Sequence, residues 1–388
     1  MLRSAFFIRL ISVIILLHVY IGARLIPALP VGMPLKWLAA LLLVASVLLI
    51  PLGMAARNIE KQPLSDLLAW VGYLTMGFFS SLLVLTILRD IVLLVLYVVK
   101  SVWGVAAIMA DFIAPSALGV PLLAAVLTLW GLYYARRNAP VKIIDVPIAG
   151  LAAALNGFSI VQITDIHIGP TIKRGYVEKI VATVNSLNPD LIAVTGDVVD
   201  GTVPQLAADA RPLGALSARH GTFFVTGNHE YYAGVENWII EFRRLGFNVL
   251  MNEHVVVNHD GANAIVAGVT DYGAGNVDPA HMSDPAKAIQ GAPSDIPFRL
   301  LLAHQPRSAA AASQAGFTLQ LSGHTHGGQF MPWNFFIRLQ QPFVHGLDKL
   351  NDLWVYTSRG TGYWGPPIRL AAPSEITFLR LVADPPAV

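Results

Sequence analysis

Five short stretches of the chain carry side chains suited to holding divalent cations: Asp165-Ile-His167, Gly196-Asp197, Gly227-Asn228-His229-Glu230, the isolated His304, and Gly323-His324-Thr325-His326. Their donors are carboxylate, imidazole and amide, a set that suits Mn, Fe, Zn or Co and includes no thiolate. Two such cations about 3.5–4 Å apart supply what phosphoester hydrolysis needs at neutral pH, a strong nucleophile and neutralisation of the charge on the transferring phosphoryl group. A single histidine after a strand is most simply a structural residue. Five polar clusters, each closing an apolar run, are not.

Those runs are Phe158–Ile163, Leu191–Thr195, Thr222–Thr226, Phe298–Ala303 and Phe317–Leu321, each of the length and composition of a buried strand. Strands that all end in Asp, Asn or His deliver their polar residues to one rim of a sheet, where open α/β folds bind ligands. Helical stretches at Gly175–Leu187 and Val235–Leu245 alternate with the runs, and Val141–Val146 reads as a first edge strand. The alternation predicts an α/β fold of layered sheets and helices.

In order and type, the motifs resemble those of the calcineurin-like metallophosphoesterases over about residues 156–380. The stretch from Tyr356 to Arg369 is similar to the ending of a bacterial, membrane-attached branch of that superfamily. The resemblance implies a four-layer αββα sandwich. It implies a first metal held by Asp165, His167, Asp197 and His326, and a second held by Asp197, Asn228, His304 and His324, with Asp197 as the bridge. Manganese is the first choice of ion, with Fe, Zn and Co as alternatives. It further implies in-line attack by a hydroxide bridging the metals, with His229 donating a proton to the departing oxygen and no covalent enzyme intermediate.

Other polar residues carry weaker expectations. Asp200 and Glu230 read as exposed carboxylates at strand ends, with the orienting of histidines as the alternative. His220, His254, His259, His281 and His345 read as surface or loop residues. Met331–Val344, rich in aromatics around Arg338, reads equally as a packed loop or as a surface that touches lipid, and Tyr363, Trp364 and Arg369 raise the same alternative. Arg359 or Arg369 could contact substrate phosphate.

The elements that must carry this site follow a very different first third. Of 388 residues 55% are hydrophobic and 13% charged. Up to Arg137 there are ten Lys and Arg against four Asp and Glu, and beyond it sixteen against twenty. Apolar stretches at Ala5–Leu25, Leu35–Ala56, Leu67–Leu88 and Leu118–Ala135 approach the roughly 20 residues that a bilayer-spanning helix needs. Ile91–Phe112, interrupted by Lys100, reads as a fifth span, a continuation of the third helix or an interfacial segment. Four spans put Arg3, Arg9, Arg57, Lys61, Arg136, Arg137 and Lys142 on one side, as the positive-inside rule prefers, with Arg24 and Lys36 opposite. The expected organisation is a transmembrane helical domain, 1–139, and a catalytic domain, 140–388, on the cytoplasmic side of a bacterial inner membrane. Arg9, His18, Arg89 and Asp90 read as snorkelling or interfacial residues.

Cysteine is absent, which excludes disulfides and thiolate ligands. The catalytic part has no basic stripe of the kind that tracks nucleic acid, so none is expected as a partner. The expected function is a membrane-embedded phosphodiesterase or pyrophosphatase, with lipids as partners and a lipid-linked substrate. The alternatives are a tethered phosphatase acting on phosphoproteins or soluble phosphoesters, and a non-catalytic metal-binding receptor or transporter accessory.

Overall fold

A computed structural model describes residues 2–56, 59, 61–103 and 107–384; Arg57, used in the charge argument above, lies outside them. The chain divides into two compact units, residues 1–133 with 365–368, and residues 134–364 with 369–388.

The first unit is helical: α1 (Leu2–Leu25), α2 (Met33–Ala55), α3 (Leu64–Trp103) and the greater part of α4 (Ala107–Arg136). Met33–Ala55, Leu64–Trp103 and Asp111–Arg136 are long and apolar enough to cross a membrane, and Ile11–Leu25 is a shorter apolar helix. Residues 91–103 continue the third helix, the second of the three readings above. Where α2 and α3 cross, Gly53 meets Gly72 so closely that a Cβ on Gly53 would lie 2.6 Å from the Gly72 Cα. Small residues permit such backbone approach between apolar helices.

Of the residues expected to snorkel or lie at an interface, Arg9 is exposed, whereas His18, Arg89 and Asp90 have partners on other helices. The Arg24 guanidinium donates to both Asp90 oxygens at 2.8 and 3.0 Å, and Tyr20 Oη donates to Asp90 at 2.7 Å. Buried Arg89 donates to Ser116 Oγ at 2.9 Å and to the Ile113 carbonyl at 3.1 Å. His18 lies 2.6 Å from Ser46 Oγ and stacks on Phe79. Each thus ties one helix to another, because in an apolar surround an unpaired polar group is costly and an interhelical partner removes the cost.

The second unit follows the alternation seen in the sequence. In order come β1 (Val141–Ile148), β2 (Ser159–Ile163), α5 (Arg174–Ser186), β3 (Leu191–Val194), α6 (Val203–Ala210), β4 (Thr222–Phe224), α7 (Asn228–Ala233), α8 (Val235–Arg244) and β5 (Asn248–Val249). Then follow β6 (Glu253–His259), β7 (Ala262–Gly268), α9 (Pro285–Ile289), β8 (Arg299–Leu302), α10 (Ala309–Gln314), β9 (Leu319–Ser322), β10 (Gly346–Leu350), β11 (Leu353–Thr357) and β12 (Ile376–Ala383).

The strands form two six-stranded mixed sheets, ordered β1-β12-β2-β3-β4-β5 and β10-β11-β9-β8-β7-β6. Period-two alternation sends Ile160, Leu191, Ala193 and Phe223 of the first sheet inward against Leu300, Leu302, Leu319 and Leu321 of the second. The other faces bury Ile163, Ile192, Val194 and Phe224 with Val177, Ile180 and Trp238, and Ile265, Leu301 and Val355 with Ala309 and Ala312. Helix, sheet, sheet and helix therefore make the four expected layers.

Candidate metal centre

Five parallel strands bring polar residues to one place. Asp165 and His167 follow β2, Asp197 follows β3, Asn228 opens α7 after β4, His304 follows β8, and His324 and His326 follow β9. The first sheet thus supplies four of the expected ligands and the second sheet three. The donor atoms of Asp165, His167 and His326 lie within 4.8 Å of one another, as do those of Asp197, His304 and His324, and those of His167, Asp197 and His229. Asp197 belongs to two of these trios. Its Oδ2 is 3.1 Å from His304 Nε2, 3.9 Å from His229 Nε2 and 4.0 Å from His167 Nε2.

The backbone bends sharply to achieve this. Asp165, His167, Asp197, His324 and His326 all have φ between 50° and 69°, a left-handed conformation that costs a non-glycine residue of order 1–3 kcal/mol. Backbone hydrogen bonds hold the bends: Asp165 N–H donates to the Gly196 carbonyl, His167 N–H to the Asp197 carbonyl, and Gly323 N–H to the His304 carbonyl, at 2.9–3.1 Å. Close packing leaves no room for side chains at the accompanying glycines. A Cβ on Gly227 would strike Asp197 Oδ1, and one on Gly323 would strike Asp165 Oδ2 and Thr164 Oγ1.

The residues fit divalent cations. Asn228 Oδ1 is buried and has no hydrogen-bond partner, a cost that a cation would relieve. Burial is the largest influence on Asp197 and opposes its charge, yet His304 and His229 outweigh it and hold the carboxyl well below its usual range. Burial and the Arg369 guanidinium push His326 well down, towards the neutral imidazole that binds metal.

A model of the calcineurin-like phosphoesterase family matches residues 158–328. A transmembrane protein with a metallophosphoesterase domain from Danio rerio is 39% identical over 67% of this chain and 61% of its own length. A metallophosphoesterase of Campylobacter jejuni is 36% identical over 66% of this chain and 68% of its own, and one of Aquifex aeolicus is 32% identical over 57% and 84%. The chain belongs to the calcineurin-like phosphoesterases. It spans about three fifths of the length of its vertebrate relative, and similar proteins occur in animals as well as bacteria.

Around this candidate centre, several residues do other than their sequence suggested. Asp200 is not a free strand-end carboxylate: its Oδ1 lies 2.9 Å from His167 Nδ1 and 2.6 Å from His229 Nδ1. A proton on each Nδ1 fixes the ring and turns Nε2 to the site. Glu230 is fully buried and orients no histidine. Its carboxylate accepts the N–H groups of Gly227 at 2.7 Å, Asp197 at 3.0 Å, and Val198 at 2.7 Å, so it clamps two metal-site loops together. Burial and Asp197 push it up to about 8, against the pull of those N–H donors.

Arg369 is 1% exposed and does not face a substrate. It donates to the carbonyls of Gly362, Ala372 and His326, and its Nη2 lies 3.0 Å from His326 Nδ1. Tyr363 is buried too and accepts from Arg136 at 2.9 Å, whereas Trp364 is half exposed with its ring 6.0 Å from that of His229. Of the remaining histidines, His259 departs from the surface reading: it is buried at the end of β6, edge-on to Phe158 and 3.0 Å from His220.

Asp271 escaped the sequence reading altogether. It follows β7, is 1% exposed and accepts hydrogen bonds from Gly273 N–H and Gln305 Nε2. The signal was present, since Ala264-Ile-Val-Ala-Gly-Val-Thr-Asp271 is a sixth apolar run that ends in a carboxylate.

Proposed function

We propose that this chain is a membrane-embedded, metal-dependent phosphoester hydrolase, with residues 1–139 as the membrane domain and 140–388 as the catalytic one. The observation that carries this reading is the convergence of Asp165, His167, Asp197, Asn228, His304, His324 and His326 from two sheets, with Asn228 Oδ1 buried and unpaired. Asp165, His167, Asp197 and His326 would hold one divalent cation, and Asp197, Asn228, His304 and His324 would hold the other, with manganese the first choice. When bound, the cations supply the nucleophile and neutralise phosphoryl charge. Asp197 is common to both sets and would be shared between the two positions. His229, held through Nδ1 by Asp200, presents Nε2 as the proton donor to the departing oxygen.

The substrate is a phosphodiester or pyrophosphate with a lipid portion, in the cytoplasmic membrane of a bacterium, with the catalytic domain on the cytoplasmic side. Apolar helices long enough to span a bilayer support the location. Trp333, Phe335, Phe336 and Leu339, all exposed just after the last metal motif, support contact with lipid. The test is to incubate the purified, manganese-loaded protein with a membrane lipid extract and identify cleaved species by mass spectrometry. Asp197→Asn, which removes charge shared by both positions, abolishes the products. Identical product profiles with and without active protein overturn the lipid substrate, and wild-type inertness toward every phosphoester overturns the hydrolase.

A further inference from the structure

A groove of about 270 Å³ opens beside Asn228 and His324, and Tyr231, Tyr232, Asp271, Asn276 and Gln305 line it. Its one carboxylate is Asp271. Asp271 Oδ1 accepts the Gly273 N–H at 2.8 Å and Gln305 Nε2 at 3.2 Å; among the described residues Oδ2 accepts only Gln305 Nε2, at 3.0 Å. All three contacts come from neutral donors, and a carboxylate oxygen has room for two. Oδ2 therefore keeps unused acceptor capacity at the wall of a cleft that adjoins the candidate metal centre.

The surroundings hold that wall in place. Gln305 receives a hydrogen bond from Gln341 at 3.1 Å, Asp271 N–H donates to Thr226 Oγ1 at 3.2 Å, and Tyr231 Oη lies 3.2 Å from His281 Nδ1. Tyr232, 68% exposed, adds a flat apolar face at the mouth.

We propose that Asp271 is a specificity-determining residue that reads a hydrogen-bond donor, hydroxyl or ammonium, on the group esterified to the scissile phosphate. A bare alkyl group leaves the buried acceptor unpaired, and an anionic group such as a second phosphate meets like charge in a site of low dielectric. The inference rests on the hydrolase reading above and narrows it from phosphodiester or pyrophosphate to a phosphodiester with a hydroxylated or amino-bearing headgroup.

The test uses the full chain, manganese-loaded in detergent, and three p-nitrophenyl phosphodiesters whose second ester group is ethyl, glyceryl or aminoethyl. The wild type should favour the glyceryl or the aminoethyl ester over ethyl by about tenfold or more in kcat/KM, the size of one hydrogen bond to a charged group, and the larger ratio names the donor. Asp271→Ala should bring that ratio close to one, whatever happens to the absolute rates. The wild-type ratios test the inference even if the variant folds poorly. Equal kcat/KM for all three wild-type reactions, or a preference that survives Asp271→Ala, overturns the role of Asp271 and leaves the hydrolase standing. Cleavage of none of the three overturns the role of Asp271, and the lipid-extract test above decides the hydrolase separately.

Discussion

His229 sits among three acidic groups, and its charge decides what it can do. Burial, the largest influence, opposes the imidazolium, but the Asp197 and Asp200 carboxylates outweigh it and lift the pKa to about 9. A proton donor is competent below its pKa, so turnover of an alkyl phosphoester should fall on the alkaline side as His229 gives up its proton, at a pH that bound cations set below the value for the protein alone. Asp200→Asn removes one of the raising charges and should move that alkaline limb to lower pH, as a kcat–pH profile would reveal. Esters of p-nitrophenol leave without a proton and should show no such shift; an equal shift for both substrates would sink the assignment. By the same logic His229→Ala should slow alkyl esters by roughly 10²- to 10⁴-fold and nitrophenyl esters far less, with metal content unchanged by mass spectrometry. Loss of metal would make His229 a ligand instead. At this scale the sequence was legible wherever the residue type itself announces chemistry, as with Asp197 or His326. It misplaced Glu230 and Arg369, read as a strand-end carboxylate and a lipid- or phosphate-facing cation, whose partners are largely backbone groups up to 43 positions away, because nothing in the type of a residue says which N–H or carbonyl it will meet.

The elements place the site by ending where they do. A parallel strand that stops, a left-handed residue and a glycine recur after β2, β3 and β9, and each bend leans on the next. Gly323 packs on Asp165, so Gly323→Ala should displace that carboxylate. The expected outcome is a folded protein, normal by circular dichroism, with metal affinity reduced by about 10- to 100-fold, the usual effect of disturbing groups that support ligands; unchanged affinity in a metal titration would contradict it. Apolar runs made β2, β3, β4, β8 and β9 readable, because a strand buried on both faces needs little but hydrophobic residues. The position of β12 was not readable. It inserts between β1 and β2, pairing parallel with one and antiparallel with the other, and local pattern carries no information about a partner more than 200 residues away. Asp271 was readable and missed, since the same rule that found the other five runs applies to β7.

For the molecule as a whole, orientation is the open quantity that charge can predict. With the catalytic unit on the cytoplasmic side, reporter fusions after Lys142 and after Met33 should report opposite sides, and an exported signal from the Lys142 fusion would refute the orientation. The order of the chain has a separate consequence for how this molecule is made. The apolar helices are synthesised before the catalytic strands and β12 after the other strands, yet among the described residues β12 alone joins β1 to the rest of its sheet. Until residues 376–383 have left the ribosome, β2 has a bare edge and β1 has no partner. A nascent chain can therefore enter a bilayer long before it can close its first sheet. The interval between insertion and closure is when an unpaired, Val- and Ile-rich edge is open to the wrong neighbour.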